Sequence, residues 1–246
     1  MGQEQLLQVD GLSVSYGPIQ ALNGVSFQVN KGEIVALLGA NGAGKTTLLQ
    51  TISGLLSSQK GKVIYKGQDI TTMEAEQIVG RNLVHVPEHR QVFSTLSVLD
   101  NLYLGAYHHA RKTGKKEMEA DIENAFKLFP ILKERKSQLA GTLSGGQQQM
   151  LAIARGMMAK PDLLLLDEPT LGLAPIIAKE VLELVRELRD MFGTTVLLIE
   201  QNVFASLKIA DRGYVISHGQ IVKEGSSTEL LNDKEVKEAY LGQTVS

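Results

Sequence analysis

Gly39-Ala40-Asn41-Gly42-Ala43-Gly44-Lys45-Thr46-Thr47 decides the reading of this 246-residue chain. The apolar run Ile34-Val35-Ala36-Leu37-Leu38 precedes it and Leu48-Leu49-Gln50-Thr51-Ile52 follows. A buried strand that ends in a glycine-rich loop and opens a helix presents successive backbone N–H groups to phosphate oxygens. Lys45 then sets a point charge on the β- and γ-phosphates, and the Thr46 hydroxyl ligates Mg²⁺. The spacing G-x-x-x-x-G-K-[ST], with strand before and helix after, predicts a nucleoside triphosphate site held by Gly39 to Thr47.

Working outward, the rest of the chain divides by texture. Leu6 to Tyr16 alternate apolar and polar residues after a turn at Gly11. Leu22, Val25, Phe27 and Val29 continue the strand signal, with a break expected at Asn23-Gly24 and a stop at Asn30-Lys31-Gly32. This stretch reads as an antiparallel layer leading into the phosphate-loop strand. Lys62 to Gln68 reads as a hairpin arm, Glu74 to Val79 as a short helix and Leu83 to Val86 as a strand ended by Pro87. From residue 97 to about 160 the signals turn helical. Ser97-Val98-Leu99-Asp100 is a capping-box start, Arg111 to Lys116 a charged linker, and Met118, Ile122, Ala125, Phe126 and Phe129 recur at helical spacing up to Pro130. Strand signals return at Leu163-Leu166, Thr195-Ile199 and Gly213-Ile216, with an amphipathic helix (Ile177, Val181, Leu184, Val185, Leu188) between the first two. The tail from Thr228 to Leu241 reads as a pair of short helices. Continuous apolar strands separated by helices predict a parallel sheet covered on both faces. The fold class is therefore α/β, with an N-terminal antiparallel β layer and an inserted helical lobe, and its phosphate loop and parallel sheet resemble those of a P-loop NTPase with a RecA-like core.

Composition narrows the function. A formal net charge of −2 and a pI near 6.2 offer no basic field for nucleic acid. The absence of cysteine excludes disulfides and cysteine-based metal or redox sites, and suits a reducing cytosol. Met1-Gly2-Gln3-Glu4-Gln5 lacks the basic start and apolar core of a signal peptide. No apolar run approaches the roughly 20 residues of a membrane helix. Any work at a membrane would go through a partner.

A phosphate loop needs an acidic element at the end of a neighbouring strand. Leu163-Leu164-Leu165-Leu166-Asp167-Glu168 has that form: Asp167 for Mg²⁺, and Glu168 as the general base for the attacking water. Leu143-Ser144-Gly145-Gly146-Gln147-Gln148-Gln149 stands before a further helix. Ser144 is a good N-cap there, and Gly145 and Gly146 leave backbone N–H groups open to an anion. Tyr16, on composition alone, is a half-buried strand aromatic.

With Leu-Ser-Gly-Gly-Gln lying between the phosphate loop and the acidic pair, the chain resembles the ATPase subunits of ABC transporters along essentially its whole length. That resemblance implies one ABC ATPase domain over 1–246, with a catalytic core and β layer in 1–88 and 160–246 and a helical signature lobe in 89–159. It implies ATP and Mg²⁺ as ligands. Tyr16 falls at the position where the family stacks an aromatic ring on adenine. Ser144, Gly145, Gly146 and Gln147 would contact ATP held by a second ATPase subunit in a head-to-tail dimer, a heterodimer or, in isolation, a homodimer. Two transmembrane permease subunits, and indirectly a periplasmic or extracellular solute-binding protein, would complete the assembly at the cytoplasmic face of the plasma membrane.

Three positions depart from the family pattern. Glu88 stands where a glutamine is usual after the strand ending at Pro87, and would bring a carboxylate to the metal. Ala174, in Leu171-Gly172-Leu173-Ala174-Pro175, replaces a common aspartate. Gln201, in Ile199-Glu200-Gln201-Asn202, replaces the switch histidine; it can donate to a phosphate but cannot carry a proton charge. Lys45, Glu168 and Gln201 form the expected catalytic set, and Thr46, Glu88 and Asp167 the expected metal set. These departures, with Ala210-Asp211-Arg212-Gly213-Tyr214-Val215 and the closing Ala239-Tyr240-Leu241-Gly242, resemble the LivF-type ATPase of branched-chain amino acid importers. A closely similar subunit serves urea and short-chain amide importers. A soluble ABC ATPase acting on ribosomes or DNA is disfavoured by the single cassette and mildly acidic charge. A P-loop kinase or GTPase has no use for the signature, and no N-K-x-D motif is present. The five histidines show no metal-ligand spacing.

Overall fold

The computed structural model describes residues 4–240; Met1 to Gln3 and Leu241 to Ser246, including the end of the Ala239-Gly242 run, lie outside the described residues. A long hairpin opens the chain, β1 (Gln5–Tyr16) and β2 (Ile19–Asn30), followed by β3 (Ile34–Leu38), the phosphate loop and α1 (Lys45–Ile52). Next come β4 (Lys60–Tyr65), β5 (Gln68–Asp69), α2 (Ala75–Val79) and β6 (Leu83–Val86). The helical stretch holds α3 (Val98–Thr113), α4 (Lys115–Leu128), α5 (Pro130–Glu134) and α6 (Gly145–Met157). The chain then returns through β7 (Leu163–Asp167), α7 (Pro175–Phe192), β8 (Thr195–Glu200), α8 (Val203–Ile209) and β9 (Arg212–Ser217). It ends with β10 (Gln220–Ser226), α9 (Ser227–Asn232) and α10 (Lys234–Tyr240).

Two sheets result. One is antiparallel in the order β2-β1-β4-β5; the other runs β10-β9-β3-β8-β7-β6, parallel from β9 to β6. The parallel strands β3, β7 and β8 are buried at every position, because alternate residues enter different cores. Leu164, Leu166, Val196 and Leu198 pack with Leu102, Phe126, Leu151 and Val185 of the helices. Leu163, Leu165, Leu197 and Ile199 pack with α1 and the antiparallel sheet through Leu48, Val9, Val25 and Phe27. That two-faced burial is why these strands read as unbroken apolar runs. The apolar cluster around α3 to α6 is continuous with the β6–β7–β8 face of the sheet.

Two expectations are corrected, and one strand is added to the sheet. β2 is not broken at Asn23-Gly24: the register shift between Leu12↔Val25 and Val14↔Leu22 makes a bulge within a continuous strand. The Arg111–Lys116 linker shrinks to Gly114, whose φ of 86° separates α3 from α4. β10 is an additional antiparallel edge strand, with no fully buried residue to give it an apolar face.

The topology positions the site. β3, β8 and β7 are adjacent and in register, with Leu38 opposite Glu200 and Asp167 opposite Ile199. The phosphate loop, Asp167-Glu168 and Gln201 therefore leave the same edge of the sheet, at the carboxyl ends of the strands where ligands of open α/β sheets bind.

Candidate nucleotide site

Backbone packing shapes the phosphate loop. A Cβ on Gly39 would lie 2.5 Å from the carbonyl oxygen of Ile216 on β9. Gly44, at φ 103°, would place one 2.6 Å from the Ala21 carbonyl oxygen of β2. Gly219, in the turn after β9, donates its N–H to Ala43 O at 3.0 Å and accepts from Asn23 N at 2.8 Å. Both sheets thus buttress the loop, a support that no local sequence pattern announces.

Lys45 turns back beneath the loop. Its ammonium donates to Gly39 O (2.9 Å) and Ala40 O (3.1 Å) and pairs with Glu168 Oε1 at 3.3 Å. Thr46 Oγ1 donates to Asp167 Oδ1 at 3.3 Å. The other Asp167 oxygen is buried and has no hydrogen-bond partner among the described residues. Burial pushes the Asp167 carboxyl up to about 6, opposed by the Thr46 bond and reinforced by the charges of Glu168 and Glu88. Such a group favours a cation. Glu88 lines the same cleft, so the substitution of carboxylate for the usual amide does bring extra negative charge to this point.

Glu168 follows β7 at φ 47°, a conformation non-glycine residues rarely adopt. Its N–H donates to Ile199 O at 2.9 Å, and Gln201 Nε2 donates to its Oε2 at 2.6 Å. The carboxylate is held from both sides, by Lys45 and by Gln201. Around them opens a cleft of about 380 Å³, lined by Asn41, Gly42, Lys45, Thr46, Glu88 and Glu168 among others.

The sequence-predicted set thus divides. The phosphate loop, Thr46, Glu88, Asp167, Glu168 and Gln201 come together. Tyr16 and Ser144 to Gln147 do not line the cleft. Tyr16 lies at the tip of the β1–β2 hairpin with 48% of its surface exposed. Ser144 caps α6 in a full capping box with Gln147. Gly146 packs against Ile177, and Gly145 lies under the Arg90 guanidinium. Arg90, held with His89 and Gln91 in three consecutive positive-φ residues, belongs to no sequence motif. The fold also gathers His109, Glu117 and Asp121 within 4.8 Å of one another, which spacing in the sequence conceals. Lys160 supplies their counter-charge, at 2.7 Å from Glu117 and 3.0 Å from Asp121.

A family profile described as ABC transporter matches residues 22–171, spanning the phosphate loop, the Ser144 cap and the acidic pair. The chain belongs to the ABC transporter family. Its place within that family is the ATP-binding subunit, an ATPase. The chain is 48% identical over 96% of its length and all of the length of the high-affinity branched-chain amino acid transport ATP-binding protein BraG of Pseudomonas aeruginosa. It is 35% identical to the probable branched-chain amino acid transport ATP-binding protein LivF of Archaeoglobus fulgidus, covering 96% of this chain and 99% of that one. Among solved structures, the ADP conformation of an ATP-binding cassette of an ABC transporter superposes with a TM-score of 0.82 at 33% identity. That alignment covers 97% of this chain and 99% of the other. Among the described residues no helix is long and apolar enough to cross a membrane.

Proposed function

We propose that this ABC ATPase is the LivF-type subunit of a branched-chain amino acid importer, converting ATP binding and hydrolysis into solute uptake at the cytoplasmic face of the membrane. The 48% identity to BraG supports the solute class, and the convergence of Lys45, Thr46–Asp167, Glu168 and Gln201 in one cleft that lacks the Ser144–Gln147 cap carries the mechanism. A half-site of this kind has phosphate-binding and water-activating groups but wants the cap from a second subunit. On this reading the phosphate-loop N–H groups and Lys45 bind the phosphates, and Tyr16 stacks on adenine. Glu168 accepts the proton of the attacking water while Gln201 orients its carboxylate. Ser144, Gly145, Gly146 and Gln147 serve ATP on the partner ATPase.

The orphaned, buried oxygen of Asp167, the Thr46 hydroxyl and Glu88 form an all-oxygen set suited to Mg²⁺. When bound, Mg²⁺ supplies charge neutralisation on the phosphate oxygens. The lobe of residues 89–159 carries the cap and one wall of a groove lined by Val84, Val86, Phe93, Leu104, Tyr107 and Arg155. We assign a helix of the permease subunits to that groove. Phe93, Leu104 and Tyr107 are exposed there, and Arg155 keeps a buried Nη1 with no partner among the described residues.

Uptake of labelled leucine by cells lacking the chain tests the function. Wild type restores uptake, and Lys45→Ala does not. Restored urea or amide uptake with leucine uptake unchanged would replace the branched-chain assignment with the alternative importer.

A further inference from the structure

Glu200 ends β8 beside Gln201, is 2% exposed and has no part in the phosphate-loop, metal or signature motifs. Its Oε1 accepts the backbone N–H of Thr170 at 2.8 Å. No other segment of the chain between β7 and α7 is tied to β8 by a buried carboxylate in this way among the described residues. Thr170 is two residues beyond Glu168 and begins the loop Leu171–Ala174 that leads into α7. Two links between β8 and the β7 exit therefore bracket Glu168: its own N–H bonds to Ile199 O before it, and Thr170 bonds to Glu200 after it. Between these two anchors Glu168 holds its positive φ and meets Gln201 Nε2 at 2.6 Å.

We propose that Glu200 is a positioning residue for ATP hydrolysis, tying the loop after Glu168 to the strand end that carries Gln201 so that both side chains converge on one point. Satisfying one buried N–H would need only a single acceptor, which a glutamine provides. A glutamine also brings two amide hydrogens that the buried site must accommodate, whereas a carboxylate brings acceptors alone. Burial raises the pKa of that carboxyl, and the Thr170 bond opposes the rise, so the ionised form depends on the bridge it makes. Loosening the bridge lets Glu168 relax away from its constrained φ, and misplacement of a general base lowers turnover without weakening phosphate binding.

The inference rests on the roles given above to Glu168 and Gln201, and the test separates the two. In the assembled transporter with the partner ATPase's equivalent glutamate changed to glutamine, ATP turnover per bound nucleotide is measured for Glu200→Gln, Glu200→Asp and Glu200→Ala. The expected order of kcat is wild type, then Gln, then Asp and Ala, the last two down on the order of tenfold to a hundredfold with KM for ATP nearly unchanged. Gln201→Ala should cost far less in a Glu200→Gln background than alone. Equal kcat per nucleotide site across the series, or additive effects of Glu200 and Gln201, overturns the inference. If Asp or Ala fails to fold, the Gln variant and its cycle with Gln201 decide alone. Undiminished turnover of Glu168→Gln would overturn the underlying assignment of the base instead.

Discussion

Lys45 Nζ lies 3.3 Å from Glu168 Oε1, an ion pair between side chains that are 4% and 9% exposed. The same ammonium holds Gly39 O and Ala40 O, so a triphosphate that recruits Lys45 competes with Glu168 for it. Glu168→Gln should then have two separable effects. Turnover falls by about 10³-fold through loss of the base. The ATP dissociation constant falls by about threefold to tenfold, because phosphate no longer displaces a charged partner. Nucleotide titration of the variant checks the second effect, and unchanged or weaker affinity would show that the pair does not compete.

Tyr16 stands at the end of β1 opposite Ile19, with its ring half in solvent. A ring so placed contributes little to the core, so Tyr16→Ala should leave the melting temperature nearly unchanged. Stacking of a base on an aromatic ring is worth about 1–3 kcal/mol, and ATP affinity should drop about tenfold or more. Tyr16→Phe keeps the π-face and should bind like wild type. A fall in stability with unaltered affinity would return Tyr16 to the role of a strand aromatic.

The groove beside the helical lobe gives a third prediction. Tyr107 is 65% exposed on α3, and the Arg155 guanidinium lies 5.2 Å from the centroid of the Phe93 ring on the groove wall. A carboxylate at position 107 would have to be desolvated beneath any helix packed there. Tyr107→Glu should abolish co-purification with the permease subunits and leave ATP affinity intact. Recovery of a full complex from membranes would exclude this face as the docking surface.

The phosphate loop, the acidic pair and the Ser144 cap were legible because each is a contiguous stretch: a glycine-rich loop between β3 and α1, two carboxylates at the end of β7 and a capping box on α6. The three-strand edge that assembles them was legible too, since β3, β7 and β8 are apolar at nearly every position and admit no role but a doubly covered sheet. What stayed hidden depends on distant pairs. Asn23-Gly24 has turn chemistry, yet Asn23 bonds Gly219 and Gly24 N bonds Ser13 Oγ, which keeps β2 continuous through a bulge. β10 pairs along β9 with only the partly buried Ile221 packed against the core, and its side chains carry no fully buried stripe to announce it. Glu200 looks like a charged strand terminus until the fold brings Thr170 to it. The His109, Glu117 and Asp121 cluster likewise exists only once α3 and α4 pack together.

His85, one of the histidines without a motif, provides a pH test of the core beneath the groove. It sits on β6 with Nδ1 3.1 Å from Ser53 Oγ, and its Nε2 is buried without a partner among the described residues. Burial pushes its pKa down to about 4, whereas an unfolded histidine titrates near 6.5. Between those values the unfolded chain binds a proton that the folded chain refuses. Stability contributed by neutral His85 is therefore complete above about pH 6.5 and is lost as pH falls towards 4. From pH 7 to pH 5 the loss amounts to about 2 kcal/mol, or roughly 5 °C in melting temperature for a chain of this size. His85→Gln retains a polar group facing Ser53 but does not titrate, so its melting temperature should fall by about that much less over the same interval. Parallel curves for the two proteins would mean that the His85 ring accepts its proton without leaving the fold.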